Sequence, residues 1–136
     1  MTRVLLDTTA LLAHYLDEAG AEVVHHHLED SDAEILICAL SVAEFARRLV
    51  SLGETVGDAR QRALAYAGMC DEVVPVDTAC ATRAFELSQG AKRRIPLVDS
   101  LIAAAAQCTG ATLLHRDAHF ADMPELQQVE IGVSDA

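Results

Sequence analysis

The sequence predicts an α/β fold, a three-layer α/β/α sandwich around a mostly parallel central sheet. Three observations predict it. Short apolar runs recur at Val4 to Leu6, Glu34 to Leu40 and Ala111 to Leu114, and a strand apolar on both sides is one covered on both faces. Segments with helical apolar spacing separate these runs, and such alternation builds parallel sheets with right-handed crossovers. The chain has 136 residues, 51% of them hydrophobic, which suits one domain, residues 1–136, with one substantial core.

The first strand, Val4 to Leu6, runs into Asp7, Thr8 and Thr9, and Ala10, Leu11 and Leu12 continue at helical spacing. Residues 18–30 read as a helix with Ala19, Val23, Val24 and Leu28 as its apolar stripe. His25, His26 and His27 fall inside that helix. Neighbouring side chains diverge by about 100° there, so three in a row do not converge on one metal ion. The second strand, Glu34 to Leu40, is followed by Ser41 and Glu44, and a helix carries Phe45, Leu49 and Leu52 as far as Gly53. A further helix spans roughly 57–69, with Gly68 helping to end it. Val73 to Val76 is a third strand. Pro75 offers no ladder hydrogen bond, so this strand belongs at a sheet edge. Asp77 and Thr78 open a helix to about Ser88, and Gly90 to Arg94 form a basic loop. Pro96 suits the first turn of the next helix, whose Leu101, Ile102 and Ala103 to Ala106 wrap it in apolar surface and predict deep burial. Ala111 to Leu114 is the fourth strand, and Val129 to Ile131 a short fifth.

Composition excludes several classes. No apolar run is long enough to cross a bilayer, and Asp7 interrupts the only early apolar stretch, so neither a membrane span nor a signal peptide is expected. Cys38, Cys70, Cys80 and Cys108 form no C-x-x-C pair and sit in apolar segments. Buried free thiols in a reducing, cytoplasmic setting are the expectation. The formal net charge of −11 opposes bulk attraction to nucleic acid. A polyphosphate substrate then needs bound cations or a local basic cluster.

In a parallel sheet all carboxyl strand ends share one edge, and open α/β sheets bind ligands there. Asp7 ends strand one. Glu44 is placed in the first turn after strand two, Asp99 in the first turn of the helix leading into strand four, and Asp117 just beyond strand four. Each acid also has an ordinary role. Asp7 or Thr8 suits an N-cap, Ser41-x-x-Glu44 a capping box, Asp99 the positive end of a helix dipole, and Asp117 a turn. Four such acids on one edge repel one another unless a cation joins them, and Mg²⁺ prefers oxygen ligands. Asp77 follows the edge strand and reads as a plain cap. Thr9, Lys92, Arg93 and Arg94 are candidate substrate contacts, with a self-bonded hydroxyl and a solvated loop as the alternatives. His119 is a candidate proton donor or outer ligand, with a plain surface histidine as its alternative.

The ordered set Asp7-Thr8-Thr9-Ala10-Leu11-Leu12, Ser41-x-x-Glu44, Val98-Asp99-Ser100-Leu101-Ile102-Ala103-Ala104 and Arg116-Asp117-Ala118-His119-Phe120 resembles PIN domains, and among them VapC-type toxins of bacterial toxin–antitoxin pairs. The resemblance covers nearly the whole chain. It implies an α/β/α sandwich, a Mg²⁺- or Mn²⁺-dependent ribonuclease, a homodimer and a small neutralising antitoxin. The family's acidic positions fall on Asp7, Glu44, Asp99 and Asp117. Two positions depart from it: His115 stands where Thr or Ser is usual, and His119 where many members have an acid.

The expected reaction is metal-assisted hydrolysis of RNA phosphodiester bonds, with the four acids as metal ligands. The alternative is a catalytically degenerate interaction module that binds a protein partner. A haloacid-type phosphatase needs an acid where Thr9 stands, and a phosphorelay receiver needs a late lysine, whereas no lysine follows Lys92. Phe45, Leu49, Leu52, Leu64 and Tyr66 exceed what one small sheet face covers, which suggests a groove for an antitoxin helix or a dimer contact. Ordinary core packing is the alternative.

Overall fold

The computed structural model describes residues 2–133; the outermost residues of the expected 1–136 domain lie outside them. The elements run β1 (Thr2–Leu6), α1 (Thr8–Tyr15), α2 (Ala21–Glu29), β2 (Ala33–Cys38), α3 (Ala39–Ser51), α4 (Val56–Met69), β3 (Glu72–Val74), α5 (Thr78–Gly90), α6 (Leu97–Thr109), β4 (Thr112–His115), a 3₁₀ turn (Ala118–Asp122) and β5 (Gln128–Glu130). The five strands form one sheet in the order β3-β2-β1-β4-β5, and every pairing is parallel. The short β3 is an edge strand, and Pro75 lies just past its end.

Alternate residues of each strand feed two cores. Leu5, Leu36, Cys38 and Leu113 pack with α5 and α6, through Ala84, Leu87, Ile102 and the Ala103 to Ala106 run. Val4, Leu6, Ile35, Ile37 and Leu114 pack with α1 to α4, through Leu11, Val24, Phe45, Leu49 and Tyr66. The result is the three-layer sandwich. Ile102 to Ala106 are 0% exposed, as the apolar wrapping of α6 predicts. Among the described residues, no helix is long and apolar enough to cross a membrane.

Several boundaries differ from the expectation. β2 ends at Cys38 rather than Leu40, because its ladder with β1 stops at Leu6 opposite Ile37. α3 therefore starts at Ala39 with Cys38 as its N-cap, and no side chain caps it. Ser41 lies inside the helix, so there is no capping box, and Glu44 falls in the second turn. α2 starts at Ala21 rather than residue 18, so only Val24 and Ala21 of its face are buried and Val23 is exposed. α4 runs past Gly68 to Met69. All four cysteines are free. Cys38 and Cys80 are buried, whereas Cys108, near the end of α6, is exposed. Phe45, Leu49 and Tyr66 belong to the core, at 1%, 0% and 7% exposure, and only Leu52 and Leu64 of the apolar surplus face solvent.

Candidate active site

The sheet order reverses at β1, whose neighbours β2 and β4 are reached by chains leaving in opposite directions. A crevice opens at such a point, beyond the carboxyl ends of the strands. Asp7 stands there. Its backbone N–H extends the ladder to Leu114 O at 3.0 Å. Its side chain caps α1 and accepts from Thr9 N at 3.1 Å and from the Thr9 hydroxyl at 2.5 Å, both at Oδ2. Capping and site placement are thus the same arrangement, not alternatives.

Three more acids reach the same place. A cavity of about 310 Å³ is lined by Asp7, Thr8, Thr9, Leu12, Glu44, Arg48, Asp99 and Asp117. Glu44 is aimed inward from α3 by the Thr8 hydroxyl, which donates to its Oε1 at 2.7 Å. Ser41 is fully buried one turn earlier, with its Oγ 3.1 Å from the same hydroxyl. Asp99 sits in the first turn of α6. Asp117 caps the 3₁₀ turn after β4 and accepts from His119 N at 2.9 Å. The His119 ring then bridges two acids, with Nδ1 2.9 Å from Asp99 Oδ2 and 3.2 Å from Asp117 Oδ1. Asp99, Asp117 and His119 each present one donor atom within 4.8 Å of the others.

The electrostatics fit a cation site. Asp7 is 2% exposed, and burial pushes its carboxyl up to about 7, with the Asp99 charge adding to the rise against the Thr9 hydrogen bonds. Burial also raises Asp99, and the charges of Asp117 and Glu44 add to this against His119. The hydrogen bond to Asp99 and the charge of Asp117 raise His119, which favours its protonated form between the two carboxylates. The acids carry oxygen donors almost exclusively, the set that hard divalent ions select.

The predicted substrate contacts fare differently. Thr9 lines the cavity, but its hydroxyl donates to Asp7 and accepts from Arg116 N at 2.9 Å. It ties the residue that ends β1 to the one that follows β4. Lys92, Arg93 and Arg94 are exposed on the loop before α6 and do not line the cavity. The guanidinium groups placed near it belong to Arg48, one turn after Glu44, and to Arg116, which lines an adjoining hollow with Thr9, Leu12 and Glu18. Helical phase was the available signal for Arg48, since residues four apart share a face.

His115 answers its own departure from the family pattern. It is 1% exposed. Its Nδ1 accepts from Asp117 N at 3.1 Å, and its Nε2 faces Gln128 Oε1 at 2.8 Å. Gln128 in turn donates to the carbonyls of Phe120 and Met123. An imidazole that accepts at Nδ1 donates at Nε2, so this network fixes a neutral tautomer and sets the turn that carries Asp117. Burial lowers the pKa of His115 in keeping with that state.

The fold is shared with chains of solved toxin–antitoxin structures. Similarity to VapBC2 from Rickettsia felis, bound to a DNA fragment from its promoter, has a TM-score of 0.74 at 18% identity and covers 96% of this chain and 99% of that chain. For a toxin–antitoxin complex from Klebsiella pneumoniae the TM-score is 0.70 at 22% identity, over 93% of this chain and 96% of that one. For VapBC-1 from nontypeable Haemophilus influenzae it is 0.75 at 14% identity, over 95% and 98%. No curated protein sequence matches significantly. The protein-family model of the PIN domain matches residues 4–126, most of the chain, and the protein belongs to the PIN-domain family.

Proposed function

We propose that this PIN domain is a Mg²⁺- or Mn²⁺-dependent endoribonuclease and the toxin of a toxin–antitoxin pair. One observation carries the reading: carboxylates from four separated segments, Asp7, Glu44, Asp99 and Asp117, line one cavity, and the most buried of them has no cationic partner among the described residues. Such a cluster is costly in isolation. The donors present fit a hard divalent ion, which these four residues would hold. When bound, the ion supplies the Lewis acidity that makes a water nucleophilic near neutral pH and stabilises the departing 3′ oxygen.

The chain's own residues do the rest. Thr9 and Thr8 hold Asp7 and Glu44 in orientation through their hydroxyls. Arg48 and Arg116 flank the acids and bind phosphate oxygens, which makes the site locally attractive to RNA despite the net charge of −11. His119 is 52% exposed at its side chain and bridges Asp99 and Asp117 through Nδ1. In-line hydrolysis of this kind leaves a 5′ phosphate and a 3′ hydroxyl.

The partner surface follows the same reading. Between α3 and α4 a groove of about 460 Å³ is lined by Ala46, Arg47, Val50, Ser51, Val56, Ala59 and Arg60. Val56 is 74% exposed and Val50 41%. An amphipathic antitoxin helix would lay its apolar face there, with acids meeting Arg47 and Arg60. A homodimer in the cytoplasm completes the proposal.

The test is calorimetric titration of Mg²⁺ into the protein and into an Asp7→Asn/Asp99→Asn double variant. Binding in the parent that disappears in the folded double variant is the expected result. No binding in the folded parent overturns the reading and leaves a protein-binding module.

A further inference from the structure

The histidines of α2 take no part in the acidic cavity, and consecutive helical residues do not converge on one ion. The fold supplies a different partner. α2 lies against the end of α1, and Nδ1 of His25 faces Nε2 of His14 at 3.3 Å. The two rings are within 15° of parallel. Each is held from its far side: His14 Nδ1 lies 2.7 Å from the Tyr66 hydroxyl, and His25 Nε2 lies 3.0 Å from Glu29 Oε1. Metal-binding imidazoles are oriented by outer contacts of this type, which leave the inner nitrogen as a lone-pair donor. Two nitrogens on one tetrahedral zinc ion, each about 2.05 Å from it, lie about 3.4 Å apart. A cavity of about 400 Å³ adjoins the pair, and Asp17, Glu22 and His26 line it together with both histidines. Water and a carboxylate of that lining, Asp17 or Glu22, are available for the remaining positions.

We propose that His14 and His25 anchor a site for a divalent transition ion such as Zn²⁺, tying α1 to α2. In the ion-free protein the neutral pair shares one proton between the two facing nitrogens. On binding from the cavity side that proton passes from His14 Nε2 to His14 Nδ1, the Tyr66 hydroxyl turns to accept it, and each ring turns to aim its freed nitrogen at the ion. Burial and the neighbouring His25 lower the pKa of His14, which favours the unprotonated ligand. Imidazole suits Zn²⁺, Ni²⁺ and Cu²⁺, whereas Mg²⁺ keeps to carboxylates, so Mg²⁺ does not compete for the histidine pair. The inference stands independently of the ribonuclease reading.

The experiment is calorimetric titration of ZnCl₂ into the full chain with excess Mg²⁺ present, beside His14→Gln, His25→Gln and His119→Gln variants. One equivalent should bind the parent and His119→Gln, and binding should weaken at least tenfold in each of the other two. Cu²⁺ electron paramagnetic resonance adds a reading on the parent alone, in which coupling to at least two nitrogens is expected. Zinc binding that survives both His14→Gln and His25→Gln overturns the proposal. So does binding lost in His119→Gln instead, which assigns the ion to the Asp99–Asp117–His119 cluster. A copper spectrum with a single nitrogen also overturns it, whether or not the variants fold.

Discussion

Replacing Asp7 by Asn should stabilise the metal-free protein while abolishing its activity. The carboxyl is 2% exposed and its pKa rises from 3.8 to about 7, chiefly through burial. Each pH unit between those values corresponds to about 1.4 kcal/mol, so the ionised form costs the fold about 4 kcal/mol. The folded protein holds this proton more tightly than the unfolded chain does. Stability therefore falls as pH rises from about 4 to 7, and the penalty is complete above that range. Asn removes the charge. It can also keep both Thr9 hydrogen bonds, because the amide and the hydroxyl share one oxygen. The assay is urea denaturation in EDTA at pH 4.5 and pH 8. The variant should exceed the parent by about 1 kcal/mol at the lower pH and by about 4 kcal/mol at the higher. Saturating Mg²⁺ should raise the parent's stability by mass action and leave the variant unmoved. A variant no more stable than the parent at pH 8, or one with the same gain at both pH values, refutes the reasoning.

Other outcomes follow from the same geometry. His115→Ala leaves the Asp117 amide and the Gln128 Oε1 without their partner in a part-buried site and should cost about 3 kcal/mol in chemical denaturation. Arg48→Ala should raise KM for RNA several-fold with kcat little changed, whereas a triple Ala replacement of Lys92, Arg93 and Arg94 should change KM less, as steady-state cleavage assays would show. Phe45→Ala should destabilise by about 4 kcal/mol, because the ring is core and not a docking surface. Val56→Glu, on the rim of the α3–α4 groove, should shift denaturation midpoints negligibly and eliminate binding of a co-expressed antitoxin.

The parallel order of the sheet was legible because the strands are apolar on both faces and helices separate them. That order alone carries Asp7, Asp99 and Asp117 to one edge. Glu44 was legible as a site residue but misplaced within its helix. The pattern Ser41-x-x-Glu44 mimics a capping box, whereas the strand pairing stops at Cys38 and places the N-cap three residues earlier. Thr9 was legible as a neighbour of the site, but its hydroxyl partners are set by how β1 and β4 meet, over a separation of 107 residues. The basic loop at 92–94 stands out by composition, yet composition does not tell which cations reach the cavity. Arg48 does so by helical phase, and Arg116 lines the adjoining hollow by its position after a strand. The facing of His14 and His25 was hidden for the same reason, since it depends on the turn between α1 and α2 and not on any local spacing.

The central claim is that the carboxylate cavity cleaves RNA with a divalent ion. Its most direct test is cleavage of an RNA panel with Mn²⁺ or Mg²⁺, with EDTA, and with an Asp99→Asn variant of unchanged circular dichroism. The account expects metal-dependent cleavage by the parent, fragments with 5′ phosphates, and loss of at least a hundredfold in rate in the variant. Cleavage that persists in EDTA, or an Asp99→Asn variant as active as the parent, would contradict it.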